Sequence, residues 1–344
     1  MNKHGGYYGN SDVVDYSVNI NPLGLPDDIR ETIISSIDNI GKYPDIGGTA
    51  AKEAVAKYIN VDSNKIIMGN GASELIYLFA RAMKPKKVLI IEPTFNEYRR
   101  AFLLAGSEID DYVLDSDDDF GFDLEMFSRK MEVFQPDVVV LCNPNNPTGK
   151  YLGVDIVSKI VDIVKRENSF LFIDESFVEF TGYEPVGNCT GYEHVFSLRS
   201  MTKYYAVPGL RIGYGVTNDK VIEKMEEYKE PWTMNTFALD IVPKIIGDSD
   251  FCENVNKWVK REREYMYEGL CSVGNLKVYK SYSNFFLCKL DYFSGNMLNL
   301  ELLKDNMYVR VCDDFKSLSE EFVRIAVKRH GDNEKLVSML NKIL

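Results

Sequence analysis

Short apolar runs alternate with longer stretches of helical period through the first two thirds of the chain. Val88-Leu89-Ile90-Ile91, Val138-Val139-Val140-Leu141, Phe170-Leu171-Phe172-Ile173 and Val195-Phe196-Ser197-Leu198 are each bounded by turn or polar residues. That pattern predicts buried strands. Between them, Leu75 to Met83 and Val154 to Val161 carry apolar residues at helical spacing. Strands alternating with helices predict an α/β fold, with a mostly parallel sheet covered on both faces. Beyond about residue 235 the pattern changes. A long charged helical stretch, Phe251 to Leu270, leads into the β-like run Asn284 to Leu290. We therefore expect a large domain over 31–235, and a smaller α+β domain formed by 1–30 together with 236–344. There is no internal repeat.

Polar residues follow the predicted strands at their carboxyl ends, the edge where open α/β sheets bind ligands. The densest group is Ser200-Met201-Thr202-Lys203, followed by Pro208-Gly209-Leu210-Arg211-Ile212-Gly213-Tyr214. A lone lysine is usually a solvated surface charge. Lys203 directly follows a buried strand and sits among small hydroxyl residues beside a glycine-proline turn, with an arginine eight positions on. That is the chemistry needed to hold pyridoxal phosphate (PLP). Lys203 would form the Schiff base, and Ser200, Thr202 and Arg211 would hold the phosphate. Asp174 alone reads as a turn or cap residue. Lying one strand-helix unit before Lys203, it reads instead as the carboxylate that keeps the pyridine nitrogen protonated. Asn143 to Gly149 is either a proline-rich turn or the source of a hydrogen bond from Asn146 to the phenolic oxygen. Gly69-Asn70-Gly71-Ala72-Ser73-Glu74 precedes an apolar helix, and the backbone N–H groups of Gly71, Ala72 and Ser73 can cradle a phosphate there.

Composition narrows the partners. The 344 residues are 45% hydrophobic and 27% charged, with a formal net charge of −12. The acidity argues against nucleic acid, which selects for basic faces. It leaves an anionic substrate open, because a local arginine cluster outweighs the global charge. The 6 cysteines are scattered with no CxxC pair, so neither a metal site nor a redox motif is expected. Met1 to Gly6 has no signal-type apolar region, and no apolar run approaches membrane-spanning length. A cytoplasmic location follows as the expectation. The acidic run Asp115 to Asp119 reads as a solvated loop.

In order, the motifs are Gly-x-Gly-x-x-Glu, Asn-Pro-x-Asn-Pro-Thr-Gly, Asp-Glu-x-aromatic, Ser-x-Thr-Lys and Gly-Leu-Arg-x-Gly-Tyr. Together they resemble the fold-type I PLP-dependent enzymes of the class I/II aminotransferase family over most of the chain. The resemblance implies PLP as cofactor and Phe95 stacking on its ring. It also implies a homodimer with shared sites, in which Tyr43 of Tyr43-Pro44 reaches the partner's phosphate.

Within that family, three segments resemble the threonine-phosphate decarboxylase branch, a relative of the histidinol-phosphate aminotransferases. They are His4-Gly5-Gly6 with Asp15 to Gly24, Arg199 to Arg211, and Pro231-Trp232-Thr233-Met234-Asn235. Phe177 stands where many aminotransferases carry a tyrosine. The resemblance implies that Arg324 holds the substrate α-carboxylate and that Arg310 with His4 contacts the substrate phosphate. It further assigns Gly5, Asn21 and Asn146 to the substrate site. The implied reaction is decarboxylation of threonine phosphate to aminopropanol phosphate, a precursor of the cobalamin nucleotide loop. Two alternatives remain open: an aminotransferase acting on histidinol phosphate or a related amino acid, and a decarboxylase of serine phosphate. Tyr7, which follows His4-Gly5-Gly6 where asparagine is more usual, keeps the second in view. A non-catalytic PLP-binding regulator domain is disfavoured by the acidity.

Overall fold

The computed structural model describes residues 5–10, 12–187 and 191–344. Seven strands form the large sheet: β2 (Ile66–Asn70), β3 (Lys87–Glu92), β4 (Glu108–Val113), β5 (Val138–Cys142), β6 (Phe170–Asp174), β7 (Val195–Ser200) and β8 (Ile212–Val216), in the order β2-β8-β7-β6-β5-β3-β4. The pairs from β7 through β4 are parallel, and β8 runs antiparallel to both of its neighbours. All four strands read from the sequence are present.

The apolar runs are uninterrupted because both faces of this sheet are covered. Val88, Ile90, Val138, Val140 and Phe172 join one hydrophobic cluster with Leu75 and Phe79 of the helix Gly71–Met83. The alternate residues Leu89, Ile91, Val139, Leu141, Leu171 and Ile173 join another, with Val157, Ile160 and Val164 of the helix Val154–Arg166. Each fully buried aliphatic side chain contributes roughly 1.5–3 kcal/mol relative to exposure, so these strands hold the edge that carries the polar residues.

The small sheet contains β9 (Leu276–Val278), β10 (Phe285–Leu290), β12 (Arg310–Val311) and β13 (Phe322–Ala326), in the antiparallel order β12-β13-β10-β9. The charged stretch beyond residue 250 is the helix Ser249–Cys271, capped by Asp248, whose carboxylate accepts from the Phe251 N–H at 3.0 Å. The N-terminal strand β1 (Val14–Asp15) pairs in parallel with β11 (Met307–Tyr308), which fastens the start of the chain to its C-terminal part. A third apolar cluster runs from Ile66, Ile212 and Val216 of the large sheet to Phe285, Val323 and Ile325 of the small one. Among the described residues no helix is long and apolar enough to cross a membrane.

Candidate active site

The carboxyl ends of β5, β6 and β7 and the start of β8 meet at one sheet edge. Because β8 is reversed, its start lies beside the ends of β7 and β2: Gly213 pairs with Ser200 on one side and Gly69 on the other. This brings Arg211 to the edge that carries Asp174, Ser200 and Lys203. A cavity of about 330 Å³ opens there, walled by residues of the large sheet, of the small sheet and of the N-terminal segment.

Lys203 projects into this cavity from the short helix Met201–Tyr204. Its Nζ lies 3.4 Å from Ser200 Oγ and 4.9 Å from the centre of the Phe177 ring. Burial lowers its pKa, and the nearby Arg211 and Arg324 push the same way against the opposing charge of Asp174. A less readily protonated amine is what nucleophilic lysine chemistry requires. Ser200 Oγ and Thr202 Oγ1 share a hydrogen bond of 2.8 Å at the cavity wall.

Beside them starts the helix Gly71–Met83, with Ala72 and Ser73 lining the cavity. Gly71 has φ +79°, and a Cβ there would stand 2.5 Å from Nη2 of Arg211. A Cβ on Gly213 would stand 2.5 Å from the backbone nitrogen of Ala72. Glycine at both positions lets helix start, strand and guanidinium approach closely. Helix N–H groups, two hydroxyls and an arginine then form a cradle suited to a phosphate.

Asp174, at the end of β6, is buried. Its Oδ2 accepts from the Tyr98 hydroxyl at 2.6 Å and its Oδ1 from the Ser176 N–H at 2.8 Å. Burial and the adjacent carboxylate push the Tyr98 pKa far up, so this phenol remains a donor. Phe95 also lines the cavity and packs edge-on to Tyr98 at 5.6 Å. Asn145 fixes the loop after β5: it accepts from Thr94 Oγ1 at 2.9 Å and donates to the Pro93 carbonyl at 2.8 Å, which leaves Asn146 facing the cavity. The Glu175–Arg199 pair, 3.0 Å apart and fully buried, braces the ends of β6 and β7 behind it.

Arg324 of β13 forms the opposite wall. It is buried, donates through Nη1 to Asn146 Oδ1 and through Nη2 to the Ser17 carbonyl at 2.6 Å, and lies 5.3 Å over the Phe285 ring. Its Nε is buried without a hydrogen-bond partner, and no described carboxylate pairs with it. Burial, reinforced by Arg310, lowers its pKa to about 10. Asn19 Nδ2 and Ser176 Oγ, also on cavity-lining residues, are buried and unpartnered too. Buried polar atoms without partners are rare, and several around one cavity fit a polar ligand.

Four other expectations meet different surroundings. Asn21 does not line the cavity: its amide donates to the Tyr204 carbonyl at 2.9 Å and accepts from the Leu23 N–H at 2.9 Å, while its own N–H donates to the Lys203 carbonyl at 3.0 Å. It therefore braces the lysine's segment. Arg310 stands directly opposite Arg324 in the β12–β13 register but is held by both oxygens of Asp314, at 2.6 and 2.8 Å, outside the cavity lining. Tyr43 is 82% exposed and packs at a tilt on Trp232, ring centres 4.9 Å apart, outside the lining of the Lys203 cavity. Tyr7 packs on Tyr308 at 5.1 Å rather than lining the cavity. Gly5 does line it, whereas His4 lies outside the described residues. No group of three or more His, Cys, Asp or Glu side chains among the described residues could hold a metal ion.

Sequence reasoning passed over Tyr98, Ser176 and Asn19. Tyr98 is three positions after Phe95, Ser176 two after Asp174, and Asn19 two before Asn21. A search of residues flanking each motif at strand or helix spacing would have raised all three.

Residues 11–343 match the family model described as aminotransferase class I and II. The threonine-phosphate decarboxylase of Salmonella typhimurium is 32% identical, the match covering 96% of this chain and 91% of that protein. A protein of Caldanaerobacter subterraneus subsp. tengcongensis that carries the same name provisionally is 38% identical over 94% of this chain and 88% of its own. Among solved structures, the histidinol-phosphate aminotransferase from Clostridium acetobutylicum superposes with a TM-score of 0.89 at 33% identity, covering 95% of this chain and 98% of that one.

Proposed function

Because this chain belongs to the aminotransferase class I and II family, we propose that it binds PLP and decarboxylates L-threonine O-3-phosphate to aminopropanol phosphate and CO₂. Its product would serve cobalamin assembly, as the sequence resemblance implies.

The observation that carries this reading is Arg324, a buried guanidinium with one unpartnered N–H and no carboxylate paired to it, facing the cavity that holds Lys203. It sits directly across the strand pair from Arg310. Like charges opposite one another destabilise a sheet. Asp314 balances one of the two cations, so a net positive charge remains for an anionic substrate. An arginine fork suits a carboxylate.

The residues present fit the cofactor. Ser200, Thr202, Arg211 and the N–H groups of Gly71 to Ser73 would hold its phosphate, Asp174 its ring nitrogen, Asn146 its phenolic oxygen and Phe95 its ring face. When bound, PLP supplies the electron sink for the pair left on Cα as CO₂ departs. Arg324 grips the carboxylate that is lost. The orientation in which Arg324 would fix that carboxylate would favour its loss over removal of the Cα proton. Lys203 Nζ delivers the proton that replaces the carboxylate on Cα. Phe177, without a hydroxyl, adds no donor beside the ring.

We also propose a homodimer with shared sites. Tyr43 at 82% exposure, Ile40 at 62% and Ile46 at 57% form an apolar surface with Trp232 that supports a contact with a second copy. Strictly monomeric behaviour in light scattering would count against it.

The deciding experiment is mass-spectrometric product analysis with PLP and threonine phosphate, with and without 2-oxoglutarate. Aminopropanol phosphate formed without the oxo acid is the expected result. Product formed only with the oxo acid, alongside glutamate, would make the chain an aminotransferase, the reading favoured by its likeness to the Clostridium enzyme. Turnover of serine phosphate alone would move the substrate to that amino acid.

A further inference from the structure

Four consecutive backbone carbonyls of the N-terminal segment are each taken by a donor from the C-terminal part. Tyr16 accepts from the Ala326 N–H at 2.9 Å, Ser17 from Arg324 Nη2 at 2.6 Å, Val18 from Lys328 Nζ at 2.7 Å and Asn19 from Asn284 Nδ2 at 3.0 Å. Residues 17–20 of this strap line the cavity. Its far end is tied to the lysine segment through the Asn21 N–H.

Lys328 is the unusual member of the set. Its backbone is fixed from both sides: its N–H donates to Asn333 Oδ1 at 2.8 Å, and its carbonyl accepts from Asn333 Nδ2 at 2.8 Å and Trp258 Nε1 at 3.2 Å. The side chain crosses to the strap, where its ammonium meets a neutral carbonyl and no described carboxylate within ion-pair distance. Burial pushes its pKa down to about 8, with Asp15 and Asp332 opposing and Arg324 adding to the shift. Placing a cation there is costly, and an apolar contact would close the strap more cheaply. What the lysine adds is a directed bond to Val18, between the Ser17 carbonyl held by Arg324 and the Asn19 side chain whose Nδ2 has no partner.

On the reading that Arg324 receives the substrate carboxylate, we propose that Lys328 is a positioning residue: it fixes the Val18 carbonyl so that Asn19 Nδ2 and Arg324 Nε face the same carboxylate. Asn19 thereby becomes a second contact for that group.

The test uses the full PLP-loaded chain with Lys328→Met and Lys328→Arg. Binding of threonine phosphate and of aminopropanol phosphate, which lacks the carboxylate, is followed by visible absorbance. Amide hydrogen exchange of residues 16–21 is measured without either compound. Lys328→Met is expected to weaken threonine phosphate about tenfold, the scale of one hydrogen bond to a charged group, and aminopropanol phosphate by less than about twofold. Exchange in the strap should accelerate, and Lys328→Arg should restore most of both effects. Equal weakening of the two compounds, unchanged binding, or unchanged exchange would each overturn the proposal. If the wild-type chain binds neither compound, the proposed function fails on its own. The exchange comparison then still decides whether Lys328 holds the strap. Should Lys328→Met not fold, Lys328→Gln takes its place.

Discussion

The Tyr98 hydroxyl donates to Oδ2 of Asp174 across 2.6 Å, at the wall of the cavity that both residues line. With the Ser176 N–H on Oδ1, the carboxylate receives one donor on each oxygen, which fixes its orientation. A carboxylate held in this way is the partner a pyridine nitrogen needs. Tyr98→Phe keeps the packing against Phe95 and Phe172 and removes only the donor. PLP affinity, measured by absorbance titration of the apoprotein, should fall roughly three- to tenfold, the range of one lost hydrogen bond. The pH midpoint of the visible band should move as well. An unchanged dissociation constant and midpoint would remove Tyr98 from any role in supporting the cofactor.

Arg324 makes contacts that a lysine cannot reproduce together: Nη1 to Asn146, Nη2 to Ser17, and a free Nε. Arg324→Lys retains the charge and loses the fork. We expect kcat/KM for threonine phosphate to drop by about 100-fold or more, while PLP affinity changes by less than about threefold. A comparable loss in both would mean that Arg324 organises the cavity as a whole and does not select the carboxylate.

Much of this arrangement was legible because the parallel strands are buried on both faces, so they appear as bare apolar runs such as Val138 to Leu141. The residues that follow such a run are at the ligand edge, which places Asp174 directly after Ile173 and Lys203 five positions after Leu198. The direction of β8 left no such trace. Arg211 reaches the edge only because that strand is antiparallel to β7. Strand β4 was missed because its sequence, Glu-Ile-Asp-Asp-Tyr-Val, is that of a half-exposed edge strand. The bracing role of Asn21 was not legible because its partners, the Lys203 and Tyr204 backbone, lie 182 and 183 residues away in sequence. For the same reason nothing near Lys328 pointed to Val18, 310 residues away.

The phosphate cradle depends on two glycines for different reasons. At Gly213 the obstacle to a side chain is backbone, Ala72 N at 2.5 Å, which cannot swing away. Gly213→Ala should therefore separate β8 from the helix start, destabilising the fold by about 1–3 kcal/mol and weakening PLP binding together. Gly209→Ala, in the turn that precedes β8 and with nothing within 4 Å of its Cβ, is the control and should change neither. Thermal melts and PLP titrations of both variants test this. A Gly213→Ala protein with wild-type melting and affinity would show that the close approach is not required.

Glu179, just beyond the Asp174 segment, is a half-buried acid whose enclosed Oε2 has no hydrogen-bond partner. Burial raises its pKa from 4.5 to about 7, against the attraction of Arg199 and with help from Glu175. The folded value thus lies above the unfolded one, so between the two the folded chain binds more protons. Its contribution to stability is fully present below about pH 4.5 and is lost as pH rises through 7. Glu179→Gln removes that titration while keeping the shape. The variant should therefore gain on the wild type as pH rises, melting higher by roughly 2–4 °C at pH 8 for each kcal/mol relieved, with the gap narrowing toward pH 5. Paired melts of the two proteins at pH 5, 6, 7 and 8 read this directly. A difference that stays constant across the series would mean that Glu179 keeps one protonation state throughout, with Arg199 holding its charge inside the fold.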